Sequence, residues 1–137
     1  MKKKNYLLLI ILGFIIAFSS CKKDNVSNVN TQTNFSGTWL CTESSKLHKN
    51  STFTVEIKTD SSSGSRIFMY NFYNIGSSYS TYGITDMNTV SIPSQKIFSN
   101  TLSIHGNGTL TNNKITWIYY VNDGADLDTA TAVFTKQ

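Results

Sequence analysis

From residue 51 the chain reads STFTVEIKT, in which Phe53, Val55 and Ile57 alternate with Thr54, Glu56 and Lys58. A side-chain period of two belongs to a strand with one buried face, because successive Cβ atoms point to opposite sides of a sheet. The period recurs along the chain. GTWLCTE places Trp39 and Cys41 on one face, TVSIP pairs Val90 with Ile92, and TLSIHGNG pairs Leu102 with Ile104. ITWIYYV aligns Ile115, Trp117, Tyr119 and Val121, TATAVFTK closes the chain, and RIFMYNFY reads as a strand with large residues on both faces. DSSSGS, TNNK at 111–114 and NDGA at 122–125 carry turn chemistry, with Asn and Asp-Gly suited to tight hairpins. No window sustains a 3.6-residue apolar repeat. Residues 35–137 therefore read as one all-β domain of seven or eight antiparallel strands. At this size an up-and-down β-barrel removes exposed sheet edges most simply, and a two-sheet β-sandwich is the alternative.

The first twenty residues have a different design. Lys2, Lys3 and Lys4 precede an apolar run from Tyr6 to Phe18, then Ser19, Ser20 and Cys21. A positive segment, a short apolar segment and small residues make a secretory signal, too short for a spanning helix of about 20 residues. FSSC at 18–21 resembles a bacterial lipobox, with Phe18 for the usual Leu and Ser20 for the usual Gly or Ala. The resemblance implies a signal peptide over 1–20, cleavage before Cys21, and diacylation of its thiol, with palmitate-type chains as the membrane anchor. Two or more chains hold a protein stably where one does not. Residues 21–34 then form the lipidated cysteine and a polar tether, too poor in apolar residues to offset ordering entropy, reaching about 20 Å from the lipid. The expected location is the bacterial cell envelope, most simply the outer membrane, periplasmic or surface-exposed.

The whole chain has 12 Lys and Arg against 8 Asp and Glu. Three lysines leave with the signal, so the mature protein is close to neutral. No basic stripe remains to bind nucleic acid. Cys41 is then the one remaining cysteine, with no intrachain partner, and alternation beside Trp39 puts it inside as a buried thiol.

Reactive constellations are scarce. His48 lies in a polar connection, KLHKN, and His105 follows Ile104 and faces outward or lines a bulge near Gly106. Neither has a second His or Cys at ligand spacing. Asp123, Asp126 and Asp128 in NDGADLD lack the spacing and closing Glu of a calcium loop and read as a hairpin rich in turn formers. GNGTL at 106–110 reads as a bulge or tight bend. These residues give no catalytic group, metal site or cofactor, and the chain is read as a non-enzyme.

FSGTWLCTE at 35–43 resembles the lipocalin opening, a Gly-x-Trp on the first strand, here Gly37 and Trp39. In that family the tryptophan closes one end of an eight-stranded barrel under a basic side chain from the last strand, a place comparable to that of Lys136. The second lipocalin motif, Thr-Asp-Tyr, is missing. The chain is more similar to small lipocalin-like lipoproteins of the Bacteroidota, through FSGTW, NFYNIG at 71–76, Val-x-Ile-Pro with a following Gln at 90–95, GNGTL, and YYVNDG before a last strand ending Phe-Thr-Lys. Asp128, Thr129 and Ala130 match a short O-glycosylation pattern resembled in envelope proteins of that group.

Aromatic residues stand above background. They can serve as core and cross-strand pairs, or Tyr70, Tyr73, Trp117 and Tyr119 can contact a ligand, since Tyr and Trp offer an apolar face and a polar edge. The expected function is a membrane-anchored lipoprotein binding a small amphipathic or hydrophobic ligand. The alternative is an accessory protein of an outer-membrane complex acting through protein contacts. A deep lumen cavity would favour the first, and a filled barrel with an exposed apolar patch the second.

Overall fold

A computed structural model describes residues 34–137. Cys21, the signal segment and the tether through residue 33 lie outside the described residues. Eight strands follow in order: β1 (Gly37–Ser45), β2 (Lys49–Asp60), β3 (Ser63–Tyr70), β4 (Ser80–Asp86), β5 (Thr89–Ile97), β6 (Leu102–Thr111), β7 (Lys114–Asn122) and β8 (Leu127–Lys136). They form a closed barrel in which every strand pairs with its sequence neighbour and β8 returns to β1. That last pairing is antiparallel and runs from Trp39 opposite Lys136 to Ser45 opposite Ala130. It selects the up-and-down barrel over the sandwich.

The alternation found in the sequence becomes the inside of this barrel. Trp39, Cys41, Val55, Ile57, Ile92, Ile104, Ile115, Tyr119 and Phe134 are all buried in one core. An eight-stranded barrel is just wide enough for its own side chains to fill. Here large residues on β7 face small ones on both flanks. Tyr119 lies opposite Gly106 and Ala130, and Trp117 opposite Gly108 and Ala132. The two glycines of GNGTL therefore sit in an unbroken β6–β7 register. They make room for rings, and the bulge expected there is absent.

The bulge lies instead on β5, where pairing with β6 shifts between Ile92 and Gln95. Pro93 has no N–H to give to a ladder, which suits it to such a site. Beyond it β5 no longer pairs with β4 through the backbone, since that pairing covers only Ile84 to Asp86 against Thr89 to Ser91. The Gln95 carboxamide fills the gap: Nε2 donates to the Tyr82 carbonyl at 2.8 Å, and Oε1 accepts from the Tyr82 N–H at 3.0 Å. A side chain thus replaces one rung of the ladder.

The third strand is shorter than its residue pattern suggests. It ends at Tyr70, and Phe72–Asn74 form a short 3-10 turn. Asn71, Tyr73 and Asn74 have positive φ near 60°, which breaks the strand. The turn directs Phe72 into the barrel, where it is fully buried.

Candidate functional site

The two rims of the barrel differ. At the first, β1 starts and β8 ends. Trp39 is fully buried there, and its Nε1–H donates to the Phe35 carbonyl at 2.8 Å. Lys136 Nζ stands 5.3 Å from the indole and donates to the Asn34 carbonyl at 3.1 Å. Gly37 is needed for this contact, because a Cβ there would meet Lys136 Cε at 3.3 Å and its φ of 129° is one few L-residues adopt. Gly37, Trp39 and Lys136 therefore meet at this rim. This rim is a packed plug.

The second rim, with the β1–β2, β3–β4, β5–β6 and β7–β8 connections, carries a buried polar cluster. Glu43 and Asp128 are only 3% and 1% exposed. Tyr119 donates its hydroxyl to Glu43 Oε2, and Ser51 makes a longer bond of 3.5 Å to Oε1. Asp128 accepts from the hydroxyls of Ser45 and Tyr73, the latter at 2.7 Å, and from the Leu47 N–H at 3.0 Å. Ser45 Oγ in turn accepts from the N–H groups of Leu47 and His48. Asp128 thus ties the β1–β2 turn, β8 and the turn carrying Phe72 and Tyr73 into one unit. His48 is exposed, with its ring edge-on to Tyr73 at 5.6 Å.

Burial sets the ionisation of this cluster. Removal from water pushes the Glu43 carboxyl above its usual 4.5; the Tyr119 bond opposes that and the Asp128 charge adds to it. Burial also pushes Asp128 up, but the bonds from Ser45, Tyr73 and Leu47 outweigh it and hold the group below its usual 3.8. The Tyr119 and Tyr73 hydroxyls are raised, first by burial and then by the neighbouring carboxylates. The same burial raises the Cys41 thiol, so it remains protonated and sits in the core as a small apolar group. Two tyrosines donating to two carboxylates make a closed network.

A pH dependence with two limbs follows. Glu43 binds its proton more readily folded than unfolded, so stability rises as pH falls from neutral through its raised pKa toward 4.5. Asp128 binds its proton less readily folded, so its contribution is present above 3.8 and lost as pH falls below that value. Stability is therefore greatest in mild acid. Glu43→Gln keeps an acceptor for Tyr119 and should flatten the neutral-to-acid limb while leaving the steep loss at low pH. Urea unfolding from pH 3 to 8 reads both limbs.

The other expected residues are dispersed. Tyr70 ends β3 on the outer wall, half-buried, with Lys58 Nζ 5.1 Å from its ring. Trp117 and Tyr119 are core residues on β7, and Tyr73 lies 6.2 Å from Tyr119, ring to ring, at the polar rim. The four do not form one surface. Asp123 and Asp126 belong to the β7–β8 turn, where Asp123 Oδ1 accepts from the N–H groups of Ala125 and Asp126. Asp128, grouped with them in the sequence reading, faces the lumen instead. Among the described residues no three His, Cys, Asp or Glu side chains converge to hold a metal ion. His105 is exposed and stacks on Tyr120 at 5.0 Å. Thr129 is half-buried on the outer side of β8.

The sequence reading missed Glu43, Ser45, Asp128 and Phe72. A signal existed for the first three. Glu43 and Ser45 continue the parity of Trp39 and Cys41, and Asp128 shares the parity of Ala130, Ala132 and Phe134.

The outer wall over β2, β1, β8, β7, β6 and β5 has an unusual composition. The registers align Thr52, Thr42, Val133, Thr116, Thr109 and Thr89 in one rank across six strands. Leu40, Val133 and Ile118 are 38–44% exposed on adjacent strands of this wall. A shallow depression follows the rank over β2, β1, β8 and β7, lined by Thr42, Ser44, Asn50, Thr52, Thr116, Thr131 and Val133; Glu43 also borders it, but its carboxylate is buried against Tyr119 on the lumen side.

No known family model and no curated protein matches the chain. Among solved structures, one described as a redesigned β-barrel is similar over 74% of this chain and 90% of its own, with 13% identity and a TM-score of 0.48.

Proposed function

We propose that this chain is an envelope lipoprotein, anchored in the outer membrane through acylated Cys21 and similar to the small lipocalin-like lipoproteins of the Bacteroidota. In this reading its barrel works as a non-enzymatic accessory module through its outer wall. The observation that carries the reading is the contrast between lumen and wall. Rings pack the lumen: Phe72 lies 4.7–5.7 Å from Tyr119, Trp117 and Phe134. Outside, the threonine rank and the exposed Leu40, Val133 and Ile118 near it form a charge-depleted surface, and depletion of charge marks the centre of a protein interface. A tether of about 20 Å lets that wall meet an envelope partner near the membrane.

The test is site-specific photo-crosslinking in intact cells from Val133 and, as a control, from Glu56 on the outer face of β2. A discrete adduct with an envelope protein is expected at Val133 and not at Glu56. Thr42→Lys should remove it at least tenfold without moving the melting temperature by more than about 2 °C, since surface changes are usually within about 0.5 kcal/mol. Equal, diffuse labelling at both positions would overturn the reading. The same cells should yield a mature chain beginning at Cys21 with acyl mass, absent in Cys21→Ala.

A second reading, binding of a small amphipathic or hydrophobic ligand, has one observation in its favour. Trp117 Nε1 and Thr81 Oγ1 are both buried and without a hydrogen-bond partner. Such groups usually find one.

A further inference from the structure

Phe72 differs from the rest of the core. Of the largest fully buried side chains it is the one that comes from a connection rather than a strand. Its ring sits among three others, edge-on to Trp117 at 5.2 Å and tilted against Tyr119 at 4.7 Å and Phe134 at 5.7 Å. A hydrocarbon ring has no oxygen or nitrogen to offer the unpartnered Trp117 Nε1–H. The residues flanking it have a left-handed backbone, which Asn71 (φ 61°) and Asn74 (φ 55°) tolerate and which a residue such as Tyr73 (φ 57°) rarely adopts.

Backbone bonds hold the base of the turn, from the Asn71 N–H to the Tyr79 carbonyl and from the Asn74 N–H to the Asn71 carbonyl, both at 3.2 Å, and side chains add three more. On one side Asn71 Nδ2 donates to the Thr54 carbonyl at 2.8 Å. On the other the Tyr73 hydroxyl donates to Asp128 at 2.7 Å. Within the loop Asn71 Oδ1 accepts from the Gly76 N–H at 2.7 Å. A turn with one strained residue, a single ring inserted among rings, and a neighbouring indole whose N–H has no partner occur together.

We propose that the Phe72 turn is a stopper, and that the space its ring fills is a latent binding site for a small planar aromatic molecule bearing one hydrogen-bond acceptor. The inference rests on the ligand-binding reading. When the turn swings out, Trp117, Tyr119 and Phe134 present three ring surfaces and the Trp117 Nε1–H presents a donor. A flat ligand that takes the space of the ring and of the withdrawn turn restores the packing and adds the missing bond. The Tyr73–Asp128 bond is the latch, and relief of the left-handed backbone at Tyr73 favours opening.

Quinoline, with one ring nitrogen, and naphthalene, the same shape without an acceptor, are the probes. The readout is the Trp117 indole N–H resonance of the mature protein, with the Trp39 resonance as internal control. Phe72→Ala should bind quinoline at least tenfold more tightly than wild type, with a shift confined to Trp117, and naphthalene at least fivefold more weakly than quinoline. Tyr73→Phe keeps both rings and removes the latch, so it should tighten quinoline binding severalfold even if Phe72→Ala does not fold. Equal wild-type and variant affinities with a Trp117 shift would overturn the stopper and leave the ligand-binding reading standing. No Trp117 shift in any folded variant at saturating quinoline would overturn both.

Discussion

Trp39→Ala should come close to unfolding the protein, whereas Lys136→Ala should barely disturb it. Trp39 is completely buried, at the rim where β1 meets β8, and removal of such a ring from a core costs about 3–5 kcal/mol. A domain of this size has about 5–15 kcal/mol in all. The melting temperature should therefore fall by more than about 10 °C. The Phe35 carbonyl also loses the indole N–H that it accepts. Lys136 contributes a cation over the ring and an exposed bond to the Asn34 carbonyl, together about 1 kcal/mol. Thermal melts of the two variants should differ severalfold in their shift. Equal, small shifts would mean that Trp39 does not close the barrel.

Gly106→Ala should be the other severe change, although it adds only a methyl group. A Cβ at Gly106 would lie 2.4 Å from Tyr119 Cβ, 2.5 Å from the Ile118 carbonyl oxygen and 2.7 Å from Tyr119 Cα. Two of these are backbone atoms of the paired strand, so no rotamer change relieves the contact. β6 and β7 must part, which breaks ladder bonds as well as packing. Overpacking of this kind costs about 1–3 kcal/mol and sometimes more; the backbone clash puts Gly106 at or above the upper figure. Gly64 is the control, since a Cβ there meets nothing within 4 Å. Denaturant midpoints should fall steeply for Gly106→Ala and stay put for Gly64→Ala. Equal midpoints would refute the close β6–β7 approach.

The barrel was legible because its strands are half-buried. Alternation at Phe53, Val55 and Ile57 or at Ile115, Trp117, Tyr119 and Val121 is a direct consequence of one apolar face, and the observed inward residues follow it. Closure was legible through the need to remove sheet edges in so small a domain and through the resemblance carried by Gly37 and Trp39. The polar rim was hidden because Glu43 and Asp128 are charged by type, and charged residues are almost never fully buried unless paired. Their partners come from far along the chain, Tyr119 for one and Ser45 for the other. Phe72 was hidden for another reason. RIFMYNFY has strand-forming residues throughout, but the left-handed backbone at Asn71 and Tyr73 ends the strand within it. Asn tolerates that conformation and Tyr does not, so the local signal was divided. The role of Gln95 as a substitute rung depends on the bulge at Pro93, which only the register reveals.

The barrel is closed, and its own rings fill it. The most direct test is a nuclear Overhauser spectrum of the mature protein in solution. The account predicts contacts from the Phe72 ring to Trp117, Tyr119 and Phe134, together with cross-strand backbone contacts between Cys41 and Phe134. A Phe72 ring in contact with solvent, or β1 and β8 showing no cross-strand contacts, would contradict it.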